Sequence, residues 1–78
     1  MTEELVDYVA QNLVDHPESV QTRSESTEDG LHIVLSVKDD DRGQVIGHGG
    51  QTARALRSIV RAAGAIHDRA YTLDIADE

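Results

Sequence analysis

Two spacings of hydrophobic residues recur along the chain, one typical of helices and the other of strands. Near the start, Leu5, Val9 and Leu13 follow one another at intervals of four residues, with Val6 and Ala10 beside them. This spacing places them on one side of a helix, so the segment predicts an amphipathic helix that covers another layer. We expect Thr2 to cap the helix and Pro17 to end it, because proline disfavours helical backbone at the residue before it.

Alternation of apolar and polar residues predicts strands in three other segments. Residues 31–37 alternate most clearly and predict a half-buried central strand, whereas the weaker alternation over residues 20–25 predicts an edge strand. The turn signal Asp29-Gly30 lies between them, so we expect these two strands to form a hairpin. Residues 70–75 predict a final strand.

A second helical pattern begins at Gln51. Its apolar residues fall on one face, while arginines three and four residues apart fall on another. We expect Gly64 to end this helix, since glycine is common just past a helix C-terminus. The apolar residues are Ala53, Leu56, Ile59, Val60 and Ala63, and the arginines are Arg54, Arg57 and Arg61.

A short helix over residues 42–46 is predicted to carry two apolar residues, Val45 and Ile46, into the core. Three aspartates, residues 39–41, precede it. They lack the spacing and the closing glutamate of a calcium loop, so no metal site is predicted. We expect one of the first two aspartates to cap the helix and the third to lie in its first turn, where the helix dipole favours acids.

The predicted order of elements is helix, strand, strand, short helix, helix, strand. Since 78 residues suffice for one small domain, we expect residues 1–78 to form a single domain of the α+β class. Its three-stranded sheet would carry the helices on one face, in two layers. A core of this size is marginal, so dimerisation or a partner would add stability.

The composition restricts the class of protein further. The chain lacks cysteine, which excludes disulfides and thiolate zinc sites. It has no apolar run as long as a membrane span, and its acidic first residues differ from the basic start of a secretory signal. We therefore expect a cytoplasmic protein that does not contact membranes.

The net charge of −8 argues against non-specific binding to nucleic acids, because phosphate binders gain much of their affinity from lysine and arginine. The charge is uneven, however. Residues 42–69 contain five arginines and one aspartate, a balance of +4, and the remaining residues have a balance of −12. This asymmetry predicts a local anion site on a surface that otherwise repels anions. Acidity that serves solubility or halophilic conditions would produce the same total.

The stretch Gly47-His48-Gly49-Gly50 lies between the two last helices. A glycine turn that opens a helix directs free N–H groups outward at the positive end of the helix dipole, where phosphate binds. A P-loop would require a lysine after the last glycine, and a dinucleotide fingerprint would require a third, suitably spaced glycine and a preceding strand. Both motifs are incomplete, which leaves a turn that joins two helices.

The residues around this turn carry a resemblance to a known family. The pattern Val45-Ile46-Gly47-x-x-Gly50-x-x-Ala53-x-x-Leu56 resembles the signature of KH domains, whose Gly-x-x-Gly loop clamps a backbone of about four nucleotides. The order of elements is similar to the type II KH arrangement. Residues 40–47 and 52–57 look closer still to the small stand-alone bacterial KH proteins of the KhpA type.

The resemblance implies a protein that binds single-stranded RNA in an apolar groove beside the glycine turn. Val45 and Ile46 would either line this groove or fill the core, and the core is the first expectation. It also implies homodimers, or pairing with a larger multidomain KH protein, and a role as a post-transcriptional regulator or RNA chaperone linked to cell envelope growth, division and cell shape. Arg61 lies farther along the helix and is expected to pair with an acid. The residues expected to contact RNA are Gly47, His48, Gly49, Gly50, Arg42, Gln44, Gln51, Arg54 and Arg57.

The turn departs from the family at its two variable positions, which are often basic there and are His48 and Gly49 in this chain. We expect the backbone N–H groups of these two residues and of Gly50 to face phosphate. Since the loop lacks a fixed positive charge, we expect weak, salt-sensitive binding. Because histidine ordinarily titrates near pH 6.5, we expect this binding to strengthen below about that pH. The other histidines, His16, His32 and His67, have no ligand spacing and are interpreted as surface or interface residues.

Two other functional classes are weighed against RNA binding. A protein-interaction module with a KH-like fold and little intrinsic RNA affinity is favoured by the net charge and by the loop without a fixed cation. An enzyme is disfavoured, because no nucleophile–base pair, metal cluster or carboxylate pair is visible, and no cofactor is predicted. Two tyrosines and no Phe or Trp leave little for base stacking, which disfavours RRM and OB readers relative to KH domains.

Overall fold

The computed structural model describes residues 1–76. Residues 77 and 78, an aspartate and a glutamate that the sequence predicts to be a charged tail after the last strand, lie outside the described residues. The elements follow in the predicted order, which confirms the αββααβ arrangement. They are α1 (Thr2–Leu13), β1 (Gln21–Ser26), β2 (Gly30–Ser36), α2 (Arg42–Ile46), α3 (Gln51–Ile66) and β3 (Ala70–Ile75), and turns of 3-10 helix span Pro17–Ser19, Asp39–Asp41 and His48–Gly50.

The central strand of the sheet is β2, as predicted, and the strand order is β1-β2-β3. β1 runs antiparallel to β2, with Arg23 opposite Val34, and the two form the predicted hairpin. β3 runs parallel to β2, with Leu73 opposite Ile33. Parallel neighbours need a long crossover connection, and α2 and α3 provide it.

One face of the sheet is covered by helices, and the other is open. Along β2, Ile33 and Leu35 are fully buried, whereas His32, Val34 and Ser36 are only partly buried. This alternation is expected of a sheet with one face on the core, and it confirms the two-layer α+β architecture. The core residues are Val6, Ala10, Val45, Leu56 and Val60 from the helices and Val20, Ile33, Leu35, Val37 and Leu73 from the strands and their ends.

Gly64 does not end α3, contrary to the prediction, because the helix continues to Ile66. A Cβ at Gly64 would lie 2.6 Å from the carbonyl oxygen of Arg69 and 2.9 Å from the backbone nitrogen of Tyr71. Glycine is therefore required by the close approach of the backbone that enters β3. The chain leaves the helix through Asp68, whose φ of 56° is left-handed, and the Arg69 N–H donates to the Gly64 carbonyl oxygen at 2.8 Å.

The two capping predictions are also wrong. The residue that precedes α1 as its N-cap is Met1 rather than Thr2, and it makes no side-chain capping bond. The N-cap residue of α2 is Asp41, which makes no such bond either, while the three aspartates form a 3-10 turn of their own. Asp41 is buried, because its carboxylate is bound by the chain that follows α1.

Candidate nucleic-acid interface

The glycine loop, defined as residues 47–50, connects α2 to α3 through backbone conformations that favour glycine. Gly47, Gly49 and Gly50 have φ angles of 78°, 62° and 79°. Two features exclude a side chain at Gly47: its left-handed φ, and the backbone nitrogen of Thr52, which would lie 2.8 Å from a Cβ. A Cβ at Gly49 would meet nothing within 4 Å, so this glycine lies at the open side of the loop.

Hydrogen bonds hold the loop and decide which of its N–H groups remain available. The Gly47 N–H closes α2 by donating to the Gly43 carbonyl oxygen at 2.9 Å. The Gly50 N–H donates to the Gly47 carbonyl oxygen at 3.1 Å, so the expectation that it faces phosphate is wrong. Within residues 1–76, the N–H groups of His48 and Gly49 have no acceptor. Both residues are exposed, which leaves these two amides open to an anion.

The loop leads directly into α3, a helix of 16 residues without an acidic side chain. Its first turn presents backbone N–H groups at the positive end of the helix dipole. Arg54 lies close to the loop, since a Cβ at Gly50 would be 3.4 Å from its Nη1 atom. The loop amides, the N-terminus of α3 and the Arg54 guanidinium therefore lie close together.

Arg57 is half-buried and binds the edge of the sheet. Its Nε donates to the Leu73 carbonyl oxygen at 3.2 Å. The N–H groups of Ala70 and Ala76 both point toward β2. Successive residues of a strand direct their backbone N–H and C=O groups to opposite edges, so Leu73, an odd number of residues from each, directs its groups to the outer edge of β3. Arg57 therefore joins α3 to this edge. A shallow cleft beside it is lined by Arg61, Arg69, Ala70, Tyr71 and Thr72.

The arginines of this region are not held in ion pairs within the described residues. Within residues 1–76, Arg54, Arg57, Arg61 and Arg69 form no ion pair. The expected pairing of Arg61 with an acid is thus absent from the described part of the chain. Four uncompensated guanidinium groups on or beside a helix that starts at the glycine loop give this side of the molecule a positive potential.

The remaining predicted residues lie on both sides of the loop. Gln44 in α2 and Gln51 at the start of α3 are exposed, and Arg42 at the start of α2 is half-buried. Val45 is fully buried in the core, as expected. Ile46 is only half-buried and immediately precedes the loop, so it gives this surface an apolar component.

The sequence reasoning missed one pair next to α2. The Oδ2 atom of Asp41 accepts hydrogen bonds from the backbone N–H of His16 at 2.9 Å and lies 3.0 Å from its Nδ1. Burial by itself raises the pKa of Asp41, but the hydrogen bonds from His16 and from the Asp15 backbone outweigh burial and hold the pKa below its usual value. His16 is therefore a structural partner and not a free surface residue. The pair is separated by 25 residues, so no local pattern reveals it.

A second histidine contact joins neighbouring strands. His32 Nδ1 lies 2.7 Å from Thr72 Oγ1, and His32 Nε2 lies 3.3 Å from Asp74 Oδ2. His32 and Thr72 are register partners on the open face of the sheet, so this is a cross-strand contact exposed to solvent. The described residues contain no group of three or more His, Cys, Asp or Glu that could hold a metal ion. No helix among them is long and apolar enough to cross a membrane.

Known proteins resemble this chain over nearly its whole length. Residues 3–75 match the family model described as KhpA/KhpB, KH domain. The chain is 49% identical over 73 residues to the RNA-binding protein KhpA of Halalkalibacterium halodurans, covering 94% of this chain and 96% of that protein. It is 41% identical over 75 residues to the RNA-binding protein KhpA of Listeria monocytogenes, covering 96% of this chain and 99% of that protein.

A solved structure extends the comparison to the fold alone. The crystal structure of Aquifex aeolicus Era matches with a TM-score of 0.67 and 17% identity, covering 95% of this chain and 29% of that one. The chain thus corresponds to less than a third of Era, which shares its fold over that part. With a family model that matches nearly its whole length and relatives of 41% and 49% identity, the chain belongs to the KhpA/KhpB family of KH domains.

Proposed function

We propose that this protein binds single-stranded RNA through the glycine loop. The observation that carries the proposal is the combination of two open loop amides, those of His48 and Gly49, with a helix N-terminus and the Arg54 guanidinium. All three are donors for phosphate. The relatives named RNA-binding protein KhpA support the same function.

The expected path of the RNA follows from the positions of the donors. One phosphate lies against the loop, where the amides and Arg54 meet it. From there the strand follows the side of the molecule where α3 faces β3, with Arg57 and Arg61 beside it. Ile46 near the loop and the half-buried Tyr71 at the cleft provide apolar surface for bases. Phosphate contacts would set the position of the strand, and base selectivity would depend on this apolar surface.

The cellular role is proposed from the family resemblance. A protein of this kind would act in the cytoplasm as a post-transcriptional regulator or RNA chaperone, with effects on cell envelope growth and division. We propose that it works as a homodimer or paired with a larger multidomain KH protein. Large apolar side chains left exposed on the helices support such pairing: Leu5 (45%), Tyr8 (66%), Ile59 (43%) and Ile66 (80%).

The same exposed side chains support the second candidate, a protein-interaction module with little RNA affinity of its own. Ile66 at the end of α3 is the most exposed of these four. This candidate predicts a tight protein complex and no binding of RNA at low salt. The titration described next separates the two candidates, because it uses the protein without a partner.

The proposed function is tested by titrating a labelled single-stranded RNA of mixed sequence and measuring fluorescence anisotropy at low and moderate salt. We expect binding that weakens as salt rises, because phosphate contacts release counterions. Arg54→Ala is expected to lower the affinity about three- to tenfold, or about 0.7–1.4 kcal/mol, since it removes one charged donor beside the loop.

The matched control is Arg23→Ala, which removes the same charge from β1, at the sheet edge opposite β3. Its affinity should stay within about twofold of the wild type, because only the long-range field changes. Equal losses in the two variants would mean that net charge, and not the glycine loop, governs binding. No binding by the wild type at low salt would favour the protein-interaction module.

His48 is expected to make RNA binding depend on pH. A histidine that gains a proton adds a positive charge beside the phosphate, so the affinity should be higher in acidic than in alkaline buffer. His48→Ala should remove most of this rise and leave the affinity near about pH 8 almost unchanged. The measurement is the same titration over a series of pH values, and an identical pH profile for both proteins would contradict the role of His48.

A further inference from the structure

Asp41 is the buried charged side chain of the described residues, with 1% of its surface exposed. A buried carboxylate is costly unless other groups donate hydrogen bonds to it. It lies at the N-terminal end of α2, six residues before Gly47, where the glycine loop begins. The groups that donate hydrogen bonds to the Asp41 carboxylate therefore show which segments it holds together.

The donors that satisfy Asp41 come from the segment between α1 and β1. The backbone N–H of His16 donates to Oδ2 at 2.9 Å, and the His16 Nδ1 lies 3.0 Å from the same oxygen. Together with the Asp15 backbone, these hydrogen bonds keep the pKa of Asp41 below its usual value in spite of burial. Asp41 is therefore a carboxylate at neutral pH, and the contact is charge-assisted.

This contact matters to the loop because α2 cannot hold itself in place. α2 has five residues, and a helix of this length has almost no stability of its own. The contacts that hold it include those at its two ends and those of Val45, which is buried in the core. Asp41 fixes the first end to the segment after α1, and the second end is the glycine loop.

We propose that His16 and Asp41 form a latch that positions α2 and, through it, the glycine loop for RNA. The proposal rests on the proposed function, because the loop is taken to be the RNA contact. Neither residue touches RNA in this scheme. Both act by holding the His48 and Gly49 amides at the place where phosphate arrives, so they are positioning residues.

The test compares two substitutions of one residue. An asparagine carries its side-chain nitrogen where histidine carries Nδ1, so His16→Asn keeps a donor for Asp41, whereas His16→Ala removes it. RNA affinity is measured at about pH 8, where histidine side chains are ordinarily neutral. Amide NMR spectra of the free proteins report the environment of the loop, and thermal unfolding reports the stability. Asp41→Asn is the complementary variant.

We expect His16→Ala to lower RNA affinity about three- to tenfold, the effect of one lost charge-assisted hydrogen bond, and to shift the amide resonances of the glycine loop. His16→Asn should restore the affinity to within about twofold of wild type and return the loop amide resonances to their wild-type positions. A residue that only stabilised the fold would change the unfolding temperature alone, leaving the affinity of the folded protein and the loop resonances unchanged.

The result that would overturn the latch is a folded His16→Ala protein with wild-type affinity and wild-type loop resonances. If the wild type itself binds no RNA, the proposed function fails, and the loop resonances of His16→Ala still decide whether the latch exists. If Asp41→Asn does not fold, the decision rests on the two His16 variants, which retain the buried carboxylate and the backbone hydrogen bond to it.

Discussion

Replacement of both residues at the open side of the glycine loop, His48→Asp together with Gly49→Asp, is expected to abolish RNA binding. The two new carboxylates would stand beside the N–H groups proposed to hold a phosphate. Their negative charges would repel the negatively charged phosphate at close range. We expect the affinity to fall at least about a hundredfold, or about 2.7 kcal/mol. This is the largest effect on binding that the structure supports.

The double variant should still fold. His48 is exposed, and a Cβ at Gly49 meets nothing within 4 Å. The φ of 62° at Gly49 is left-handed, but aspartate is one of the few side chains that adopt this conformation readily. Gly47 is left unchanged because its conformation and its contact with Thr52 exclude a side chain.

The measurement is the anisotropy titration at low salt, with circular dichroism as the check on folding. A control variant, Gln21→Glu with Ser26→Asp, adds the same two negative charges at exposed positions of β1. It should bind within about threefold of the wild type, since screened charges on the far edge of the sheet act weakly. Retention of binding by the folded loop variant would show that the glycine loop is not the phosphate contact.

Gly64→Ala is expected to destabilise the fold by about 2–4 kcal/mol, although alanine is ordinarily the better helix residue by about 1 kcal/mol. The added methyl group would stand 2.6 Å from the Arg69 carbonyl oxygen and 2.9 Å from the Tyr71 nitrogen. Both are backbone atoms, so α3 and β3 must separate to admit it. In a domain of this size the unfolding temperature should fall by about 10 °C or more.

The control for this prediction is Gly43→Ala, at the second residue of α2. A Cβ there meets nothing within 4 Å, so alanine should stabilise the protein by about 0.5–1 kcal/mol through helix propensity. Thermal and denaturant unfolding of both variants gives the comparison. A gain in stability for Gly64→Ala as well would mean that α3 and β3 are not in the close contact described.

The fold was predictable because its signals are local. The four-residue spacing of α1, the alternation of residues 31–37 and the arginine-rich pattern after Gln51 each depend on neighbours in the chain. The structure confirms these elements, their order and the single covered face of the sheet. Some errors concern element ends, where capping depends on contacts that a local pattern does not contain. Others concern the covered helix faces, because Leu5, Leu13 and Ile59 were expected there and are exposed.

The candidate site was predictable in its residue types and less so in its contacts. The glycine loop and Arg54 lie together as expected. Arg57 is bound through its Nε to the edge of β3, and the Gly50 N–H is used inside the loop. The Arg57 contact depends on how the chain closes in space, since Arg57 and Leu73 are 16 residues apart, whereas the Gly50 N–H makes a local turn bond to Gly47.

The sequence by itself determined the order of the elements, the alternation that buries one face of β2 and the concentration of positive charge around the glycines. These follow from the periodicity of side chains and from a count of charges, both of which exist before the chain folds. Only the tertiary structure decided why Gly64 is glycine and why Asp41 is buried. Each answer is a contact between segments distant in sequence, Gly64 with the start of β3 and Asp41 with His16, and such contacts exist only once the layers have packed.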